Sequence, residues 1–140
     1  MEILIIHGPN LDQLHRRDPR LYGGMSQDQL FDMITLQFPN IHFTLYQSNY
    51  EGDIIEILHH SEDYDGIILN LGAYTHTSYA IRDALELSGK KACDVHLSDL
   101  SKREAFRQVN VLEGITLKTF MGKKEHSYFE AIRFLLTHIL

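Results

Sequence analysis

The first ten residues constrain the fold more than any other stretch of the chain. Residues 3–6 are a continuous run of isoleucine and leucine, which is typical of a strand that is buried on both faces. Gly8 and Pro9 end this run, because proline cannot donate a hydrogen bond to a sheet ladder. Asn10 is therefore predicted to lie at the carboxyl end of a buried strand. In a parallel sheet, α/β proteins bind their ligands at that edge.

The composition limits the classes of partner. The 140 residues carry a formal net charge of −6, which argues against a nucleic-acid or an anionic-membrane surface. The single cysteine excludes an intrachain disulfide and is typical of a reducing compartment. No apolar segment approaches the roughly 20 residues of a membrane span, and no signal-peptide pattern is present. We therefore expect one cytoplasmic domain, residues 1–140, that binds neither nucleic acid nor membrane.

The rest of the chain alternates strand-like and helix-like patterns. After the first strand, apolar or alternating segments predict strands at residues 42–47, 66–69, 91–97 and 114–120. Amphipathic spacing predicts helices at residues 26–38, 51–60, 77–88, 100–108 and 127–140. Because the connections are too long for hairpins, the pattern predicts a three-layer α/β sandwich with a five-stranded parallel sheet. The flavodoxin-like strand order 2-1-3-4-5 is the commonest solution at this length.

Polar residues are predicted at the carboxyl ends of strands one, three and four. They are Asn10, Asn70, His96 and Ser98. These strands flank the point at which the strand order reverses, so we expect the four side chains to lie near one another. Such a cluster indicates a ligand site at this edge of the sheet.

Asp94 and His96 are two residues apart on the fourth strand, so their side chains point to the same face. A carboxylate beside an imidazole fixes the tautomer of the ring and stabilises its protonated form, as a general acid requires. A buried ion pair without a chemical role is the alternative. The neighbouring Asn10, Asn70 and Ser98 favour the catalytic interpretation.

Three further residues near this edge allow two interpretations each. His76 is predicted either to stand at the start of a helix, where free N–H groups favour anions, or to face solvent beside a capping threonine. Arg103 and Arg107 are four residues apart on a predicted helix, so they share a face. Such a pair is usually solvated. Alternatively, it clamps a carboxylate, because the helix begins just after the fourth strand.

The loop of residues 11–24 carries Tyr22 five residues after Arg17. A nearby guanidinium stabilises a phenolate, which would let the tyrosine act as a base. Gly23 and Gly24 would let the loop hinge as a mobile lid. From the residues alone, a disordered basic loop with one packed tyrosine is the favoured interpretation.

No motif for a nucleotide, a cofactor or a metal ion is present. The chain has neither a Gly-x-x-x-x-Gly-Lys-Ser/Thr loop nor a Gly-x-Gly-x-x-Gly after the first strand. It also lacks His-Glu-x-x-His and any spaced set of cysteines. Cys93 is predicted to be a small core residue. The sequence therefore predicts neither a cofactor nor a metal site.

Seven short motifs occur in order along the chain. They are Gly8-Pro-Asn-Leu11, Arg17-x-Pro19-x-x-Tyr22-Gly23, Gln47-Ser-Asn49-x-Glu-Gly52, Asn70-x-Gly-Ala-Tyr-Thr-His-Thr-Ser78, Ile81-Arg-Asp-Ala84, Val95-His-Leu-Ser98 and Arg103-Glu-x-Phe-Arg107. Together they resemble type II 3-dehydroquinate dehydratase over essentially the whole chain. The resemblance implies a flavodoxin-like fold and the cofactor-free dehydration of 3-dehydroquinate to 3-dehydroshikimate, in the shikimate pathway or in quinate catabolism. It also implies anti elimination through an enolate, and a dodecamer built of trimers.

The resemblance assigns roles to residues of this chain by position. Tyr22 would remove the proton next to the ketone, assisted by Arg17, and His96 would protonate the departing hydroxyl. Asn10 would orient a water that stabilises the enolate oxygen. The substrate-binding set would comprise Asn70, His76, Leu97, Ser98, Arg103 and Arg107, with Asp83 reaching the site of a neighbouring subunit.

One departure from the resemblance bears on activity. The residue two before the histidine is normally glutamate and here is Asp94, whose side chain is one methylene shorter. We therefore expect the carboxylate to miss the imidazole or to reach it through water. This expectation supports an alternative function, a catalytically weakened homologue that binds ligand in the same cleft. Retention of Tyr22, Arg17, Asn10 and His96 favours the active enzyme, because a binder needs neither an acid nor a base.

Overall fold

A computed structural model describes residues 1–140 and contains one five-stranded sheet. The strands are β1 (Glu2–His7), β2 (His42–Gln47), β3 (Gly66–Asn70), β4 (Ala92–His96) and β5 (Thr119–Met121). All neighbouring strands pair in parallel, in the order β2-β1-β3-β4-β5. The predicted parallel sheet and its strand order are confirmed.

The chain also forms five α-helices and four short 3-10 turns. The helices are α1 (Pro19–Tyr22), α2 (Gln27–Gln37), α3 (Glu51–His59), α4 (Tyr79–Ser88) and α5 (Glu125–Ile139), and the turns are Leu11–Arg16, Gly72–His76, Leu100–Lys102 and Ala105–Gln108. None of the helices combines the length and the apolar character that crossing a membrane requires.

The apolar run of β1 divides its side chains between two cores. Ile3 and Ile5 pack on one face of the sheet with residues of α2 and α5. Leu4 and Ile6 pack on the other face with residues of α3 and α4. All four side chains are fully buried, which explains why the strand has no polar alternation. The predicted three-layer sandwich is confirmed, and both faces of the sheet are covered while its carboxyl edge remains available for a site.

Two helix ends follow the sequence prediction closely. Ser26 caps α2: its hydroxyl accepts from the Gln29 N–H at 3.1 Å, and the Gln29 side-chain oxygen accepts from the Ser26 N–H at 2.9 Å. Gly89 ends α4 with a φ of 66°, a backbone conformation that glycine adopts without strain. Both ends therefore follow from local capping chemistry.

The predicted helix over residues 100–108 is wrong. The segment forms two separate 3-10 turns, and Arg103 between them is extended, with φ −108° and ψ −175°. Asp99 caps the first turn by accepting from the Ser101 N–H at 3.0 Å, and such local side-chain hydrogen bonds compete with a continuous helix. Arg103 and Arg107 therefore do not share a helix face.

The last strand and the last helix also differ from the prediction. The strand comprises three residues rather than seven, because residues 111–117 form turns in which Gly114 has a φ of 92°. Helix α5 begins at Glu125, two residues earlier than predicted, after Lys124 at a φ of 53°. The strand-like pattern of residues 114–120 therefore extends over residues that form turns.

Residues 11–24 are folded rather than an open loop. Leu11 and Leu14 of the first 3-10 turn are buried in the core beside α2. Helix α1 follows, with the Asp18 carboxylate accepting from the Arg20 N–H at 2.9 Å and with Gly23 closing the helix at a φ of 94°. This arrangement leaves Tyr22 half-buried. Movement of this segment as a lid stays a prediction.

Candidate active site

A cleft of about 450 Å³ opens at the carboxyl edge of the sheet. No aspartate or glutamate lines it, although the chain carries a net charge of −6. The basic side chains that line the cleft are Arg16, Arg17, His76, His96 and Arg107. The cleft is therefore suited to a small anionic ligand.

Nine of the twelve predicted site residues line this cleft: Asn10, Arg17, Tyr22, Asn70, His76, His96, Leu97, Ser98 and Arg107. Asp94 and Arg103 lie behind the lining and contact residues that belong to it. Asp83 is exposed on α4 and does not line the cleft of this chain. The structure thus brings together groups from three strand ends and from the segment 11–24.

Two arginines converge on the Tyr22 hydroxyl. Arg17 Nη2 donates to this oxygen at 2.5 Å, and Arg103 Nη1 donates to it at 2.9 Å. The Arg17 guanidinium also lies 4.2 Å from the centroid of the Tyr22 ring. These contacts fix the position of the phenol oxygen. The disordered basic loop, which the residues alone favoured, is therefore wrong: the segment is folded and holds Tyr22 in the cleft.

Arg103 and Arg107 make separate contacts, so the prediction that they share one helix face is wrong. Arg103 Nη1 bridges Tyr22 and the Ser98 hydroxyl, to which it donates at 3.0 Å. Arg107 Nε donates instead to Glu104 Oε2 at 2.8 Å, and this contact lowers the pKa of Glu104 to about 2. The Nη groups of Arg107 make no hydrogen bond within the chain, and Arg107 lines the cleft separately.

Asp94 reaches His96 directly, so the expectation that the shorter side chain misses the imidazole is wrong. His96 Nε2 donates to Asp94 Oδ2 at 3.0 Å, and both residues are buried. The other ring nitrogen, Nδ1, makes no hydrogen bond within the chain. Because His96 lines the cleft, Nδ1 is the nitrogen available to a ligand.

The carboxyl end of β4 offers several donors to an anion. The backbone N–H groups of Leu97 and Ser98 donate to no other group of the chain. The buried Ser98 hydroxyl and the Asn70 amide lie in the same lining. Two adjacent free N–H groups with a hydroxyl and an amide form a site that fits a carboxylate.

His76 occupies a different position from either prediction. It ends the 3-10 turn Gly72–His76, and Ser78 rather than a threonine caps α4 by accepting from the Ile81 N–H at 3.0 Å. His76 Nδ1 donates to the Val109 carbonyl at 2.7 Å. Burial lowers the pKa of His76, which favours the neutral ring. The remaining nitrogen of the neutral ring then accepts hydrogen bonds, as a ligand hydroxyl requires.

Comparison with known proteins decides the family. A sequence model described as "Dehydroquinase class II" matches residues 1–136 of the chain. The chain belongs to the class II dehydroquinase family. The 3-dehydroquinate dehydratase of an Exiguobacterium strain is 42% identical over 139 residues, which cover 99% of this chain and 96% of that protein. The corresponding protein of Bacillus pumilus is 41% identical over 138 residues, covering 96% and 93%.

Solved structures of the family have the same fold. The type II dehydroquinase from Butyrivibrio crossotus superposes with a TM-score of 0.91 at 41% identity, over 97% of both chains. The type II dehydroquinase from Propionibacterium acnes superposes with a TM-score of 0.90 at 29% identity, over 97% of this chain and 96% of that one. The flavodoxin-like fold expected from the motifs is confirmed.

Sequence reasoning missed a buried polar chain behind the dehydroquinase cleft. Asn70 Nδ2 donates to the Tyr128 hydroxyl at 2.9 Å, and this hydroxyl lies 2.9 Å from His7 Nε2. His7 Nδ1 lies 2.7 Å from Gln27 Oε1. Two features of the sequence could have indicated this chain: His7 ends an apolar strand, and Tyr128 lies on the apolar stripe of a helix. No sequence pattern, however, connects these two positions, which are 121 residues apart.

The pKa shifts fix the direction of this chain of hydrogen bonds. Burial lowers the pKa of His7 to about 4 and raises the pKa of Tyr128, so the ring is neutral and the hydroxyl keeps its proton. Tyr128 therefore donates to His7 Nε2, and His7 Nδ1 donates to Gln27 Oε1. The Asn70 amide nitrogen in turn donates to Tyr128, which fixes the rotamer of a cleft-lining side chain.

Lowering the pH is expected to destabilise the protein through His7. Its pKa is about 4 in the folded state and about 6.5 in the unfolded state, so unfolding takes up a proton between these values. The contribution is fully present above pH 6.5 and is lost as the pH falls towards 4, on the order of 3 kcal/mol at most. Urea unfolding of the wild type and of His7→Asn across this range measures it. A difference between the two proteins that does not change with pH would contradict this role.

Proposed function

We propose that this chain is a hydro-lyase that converts 3-dehydroquinate to 3-dehydroshikimate without a cofactor, by anti elimination through an enolate. The observation that carries the proposal is that Tyr22 and His96 line the same cleft. Two arginines contact the Tyr22 hydroxyl, and the buried Asp94 accepts a hydrogen bond from His96. Membership of the dehydroquinase family and the names of its relatives support the substrate.

Tyr22 is the base in this proposal. Its phenolate takes one proton from the carbon between the ketone and the carbon that bears the leaving hydroxyl, and the electron pair moves onto the ketone oxygen. Arg17 and Arg103 stabilise the phenolate before the transfer. Asn10, three residues after the end of β1, orients a water that donates to the enolate oxygen.

His96 is the acid. The enolate collapses, the carbon–oxygen bond of the leaving hydroxyl breaks, and His96 Nδ1 supplies the proton that completes the water molecule. Asp94 accepts from Nε2 throughout, so it orients the ring and stabilises its cationic form. In this arrangement Tyr22 lies on one face of the substrate ring and His96 lies on the other.

The lining of the cleft supports an assignment of the groups that hold the substrate. Its carboxylate and its leaving hydroxyl share one carbon, so the carboxylate site must adjoin the acid. Leu97 and Ser98 follow His96 directly and offer the free N–H groups, and Asn70 adds an amide. His76 and Arg107, which also line the cleft, bind the ring hydroxyls.

An absorbance assay for the conjugated enone tests the function. The purified chain with 3-dehydroquinate is expected to form the enone, and prior incubation with a chelator is expected to leave the rate unchanged. Binding of 3-dehydroquinate without enone formation would favour the weakened homologue instead. Absence of both binding and turnover would contradict the proposal.

Lengthening Asp94 to glutamate is expected to leave turnover within about threefold of the wild type or to raise it, because the carboxylate keeps its role as acceptor for His96. The added methylene enters a fully buried site, so Asp94→Glu is expected to lower stability by about 1–3 kcal/mol. Steady-state kinetics and urea unfolding measure the two effects. A loss of kcat beyond tenfold would show that the pairing with His96 is misassigned.

The assembly and location are proposals that follow the family resemblance alone. We propose a dodecamer of trimers in the cytoplasm, in which the exposed Asp83 of one subunit reaches the cleft of a neighbour. Sedimentation of the purified chain tests the subunit number. If the chain is a monomer that turns over at full rate, Asp83 has no part in the site.

A further inference from the structure

We infer that Asn110 and Thr119 are positioning residues for the acid, because they hold the Asp94 carboxylate against His96. This inference rests on the proposed function. Neither residue lines the cleft, so each acts through Asp94 rather than on the substrate.

Only one of the two carboxylate oxygens of Asp94 is hydrogen-bonded. Its Oδ2 accepts from His96 Nε2 at 3.0 Å, from Asn110 Nδ2 at 2.8 Å and from the Thr119 hydroxyl at 3.4 Å. Its Oδ1 is buried and has no hydrogen-bond partner. The orientation of the carboxylate is therefore determined at a single oxygen, and Asn110 makes the shortest contact to it.

Asn110 is itself held in one orientation. Its side-chain oxygen accepts from the Leu112 N–H at 2.9 Å, so its amide nitrogen must face Asp94. The neighbouring Val111 N–H donates to the Thr75 carbonyl at 2.9 Å, which anchors the segment to the turn that carries His76. Two backbone hydrogen bonds thus fix the donor to Asp94.

A short, buried carboxylate needs this support. Asp94 is completely inaccessible to solvent, so its charge is stabilised only by the groups around it. Without Asn110, Oδ2 keeps His96 and the distant Thr119 hydroxyl, and rotation of the carboxylate no longer breaks a second strong hydrogen bond. The imidazole then loses its fixed orientation. Supporting groups of this kind determine how precisely a reacting side chain is placed.

Asn110→Ala is expected to lower kcat by about tenfold and to change KM by less than about twofold, because the substrate-contacting groups are unaltered. In an Asp94→Asn background, which has no carboxylate to orient, Asn110→Ala is expected to change kcat by less than about twofold. An equal loss in both backgrounds, or a rise in KM that accounts for the loss in kcat/KM, would mean that Asn110 supports only the fold and would overturn the inference.

Thr119→Val is a second variant that tests the inference, and it keeps the shape of the side chain. Its longer contact predicts a loss in kcat of about twofold to threefold, again absent in the Asp94→Asn background. If Asn110→Ala does not fold, this pair of proteins decides the question, and an unchanged kcat overturns the inference. Lack of turnover in the unmodified chain would instead overturn the proposed function.

Discussion

Replacing Tyr22 with phenylalanine is expected to lower kcat by at least about 1,000-fold, because loss of a positioned base removes most of its general acid–base contribution. The substitution deletes only the hydroxyl on which Arg17 and Arg103 converge. The carboxylate site at Leu97 and Ser98 is untouched, so the dissociation constant of 3-dehydroquinate is expected to stay within about threefold. Enone formation measures the first quantity and calorimetric titration the second.

Tyr46→Phe is the matched control for this substitution. Tyr46 is a half-buried tyrosine of β2 that does not line the cleft, and its hydroxyl makes no hydrogen bond within the chain. Its removal is expected to leave kcat unchanged. Turnover of Tyr22→Phe within tenfold of the wild type would take the base role away from Tyr22, even if the chain is an active dehydratase.

Replacing His96 with asparagine is expected to lower kcat by about 100- to 10,000-fold, because an amide cannot give a proton to the leaving hydroxyl. The amide still occupies the buried position beside Asp94, so the fold is expected to persist. His59→Asn, on the exposed face of α3, is the control and is expected to have no effect on kcat. If His96→Asn retains wild-type kcat, the proton comes from another donor.

The sheet was predictable because its strands and helices are specified by local caps and by the periodic spacing of apolar residues. The apolar run of β1, the glycine after α4 and the serine before α2 each determine structure within a few residues. Once the strand order followed from these elements, the meeting of Asn10, Asn70 and His96 at one edge followed as well. The strand-end part of the cleft lining was therefore predictable from the residues, whereas Tyr22 and Arg17 were assigned to the cleft only through the family resemblance.

The irregular segments were not predictable in the same way. Residues 100–108 have helix-like spacing, yet Asp99 caps a short turn and Arg103 leaves the helix path to reach Tyr22. The support for Asp94 comes from Asn110, in a segment of turns without hydrophobic periodicity. Side chains that meet across loops depend on tertiary contacts, and the local pattern does not encode such contacts.

The support behind the cleft is likewise non-local. The hydrogen bond between His7 and Tyr128 joins the first strand to the last helix, and the Tyr128 hydroxyl accepts from the Asn70 amide. Their contact requires the complete sheet, because β1 and β3 must pair with His7 opposite Asn70 before α5 covers them. A polar residue in an apolar run identifies a candidate, but only the assembled fold supplies its partner.

The stereochemistry of proton loss tests most directly whether the base and the acid work on opposite faces of one substrate. The substrate carbon between the ketone and the hydroxyl-bearing carbon carries two hydrogens, and deuterium is placed at one of them in each of two samples. With Tyr22 and His96 in the proposed roles, deuterium trans to the leaving hydroxyl is lost to solvent and deuterium cis to it is retained in the enone. Loss of the cis deuterium would place both groups on one face and would contradict the account.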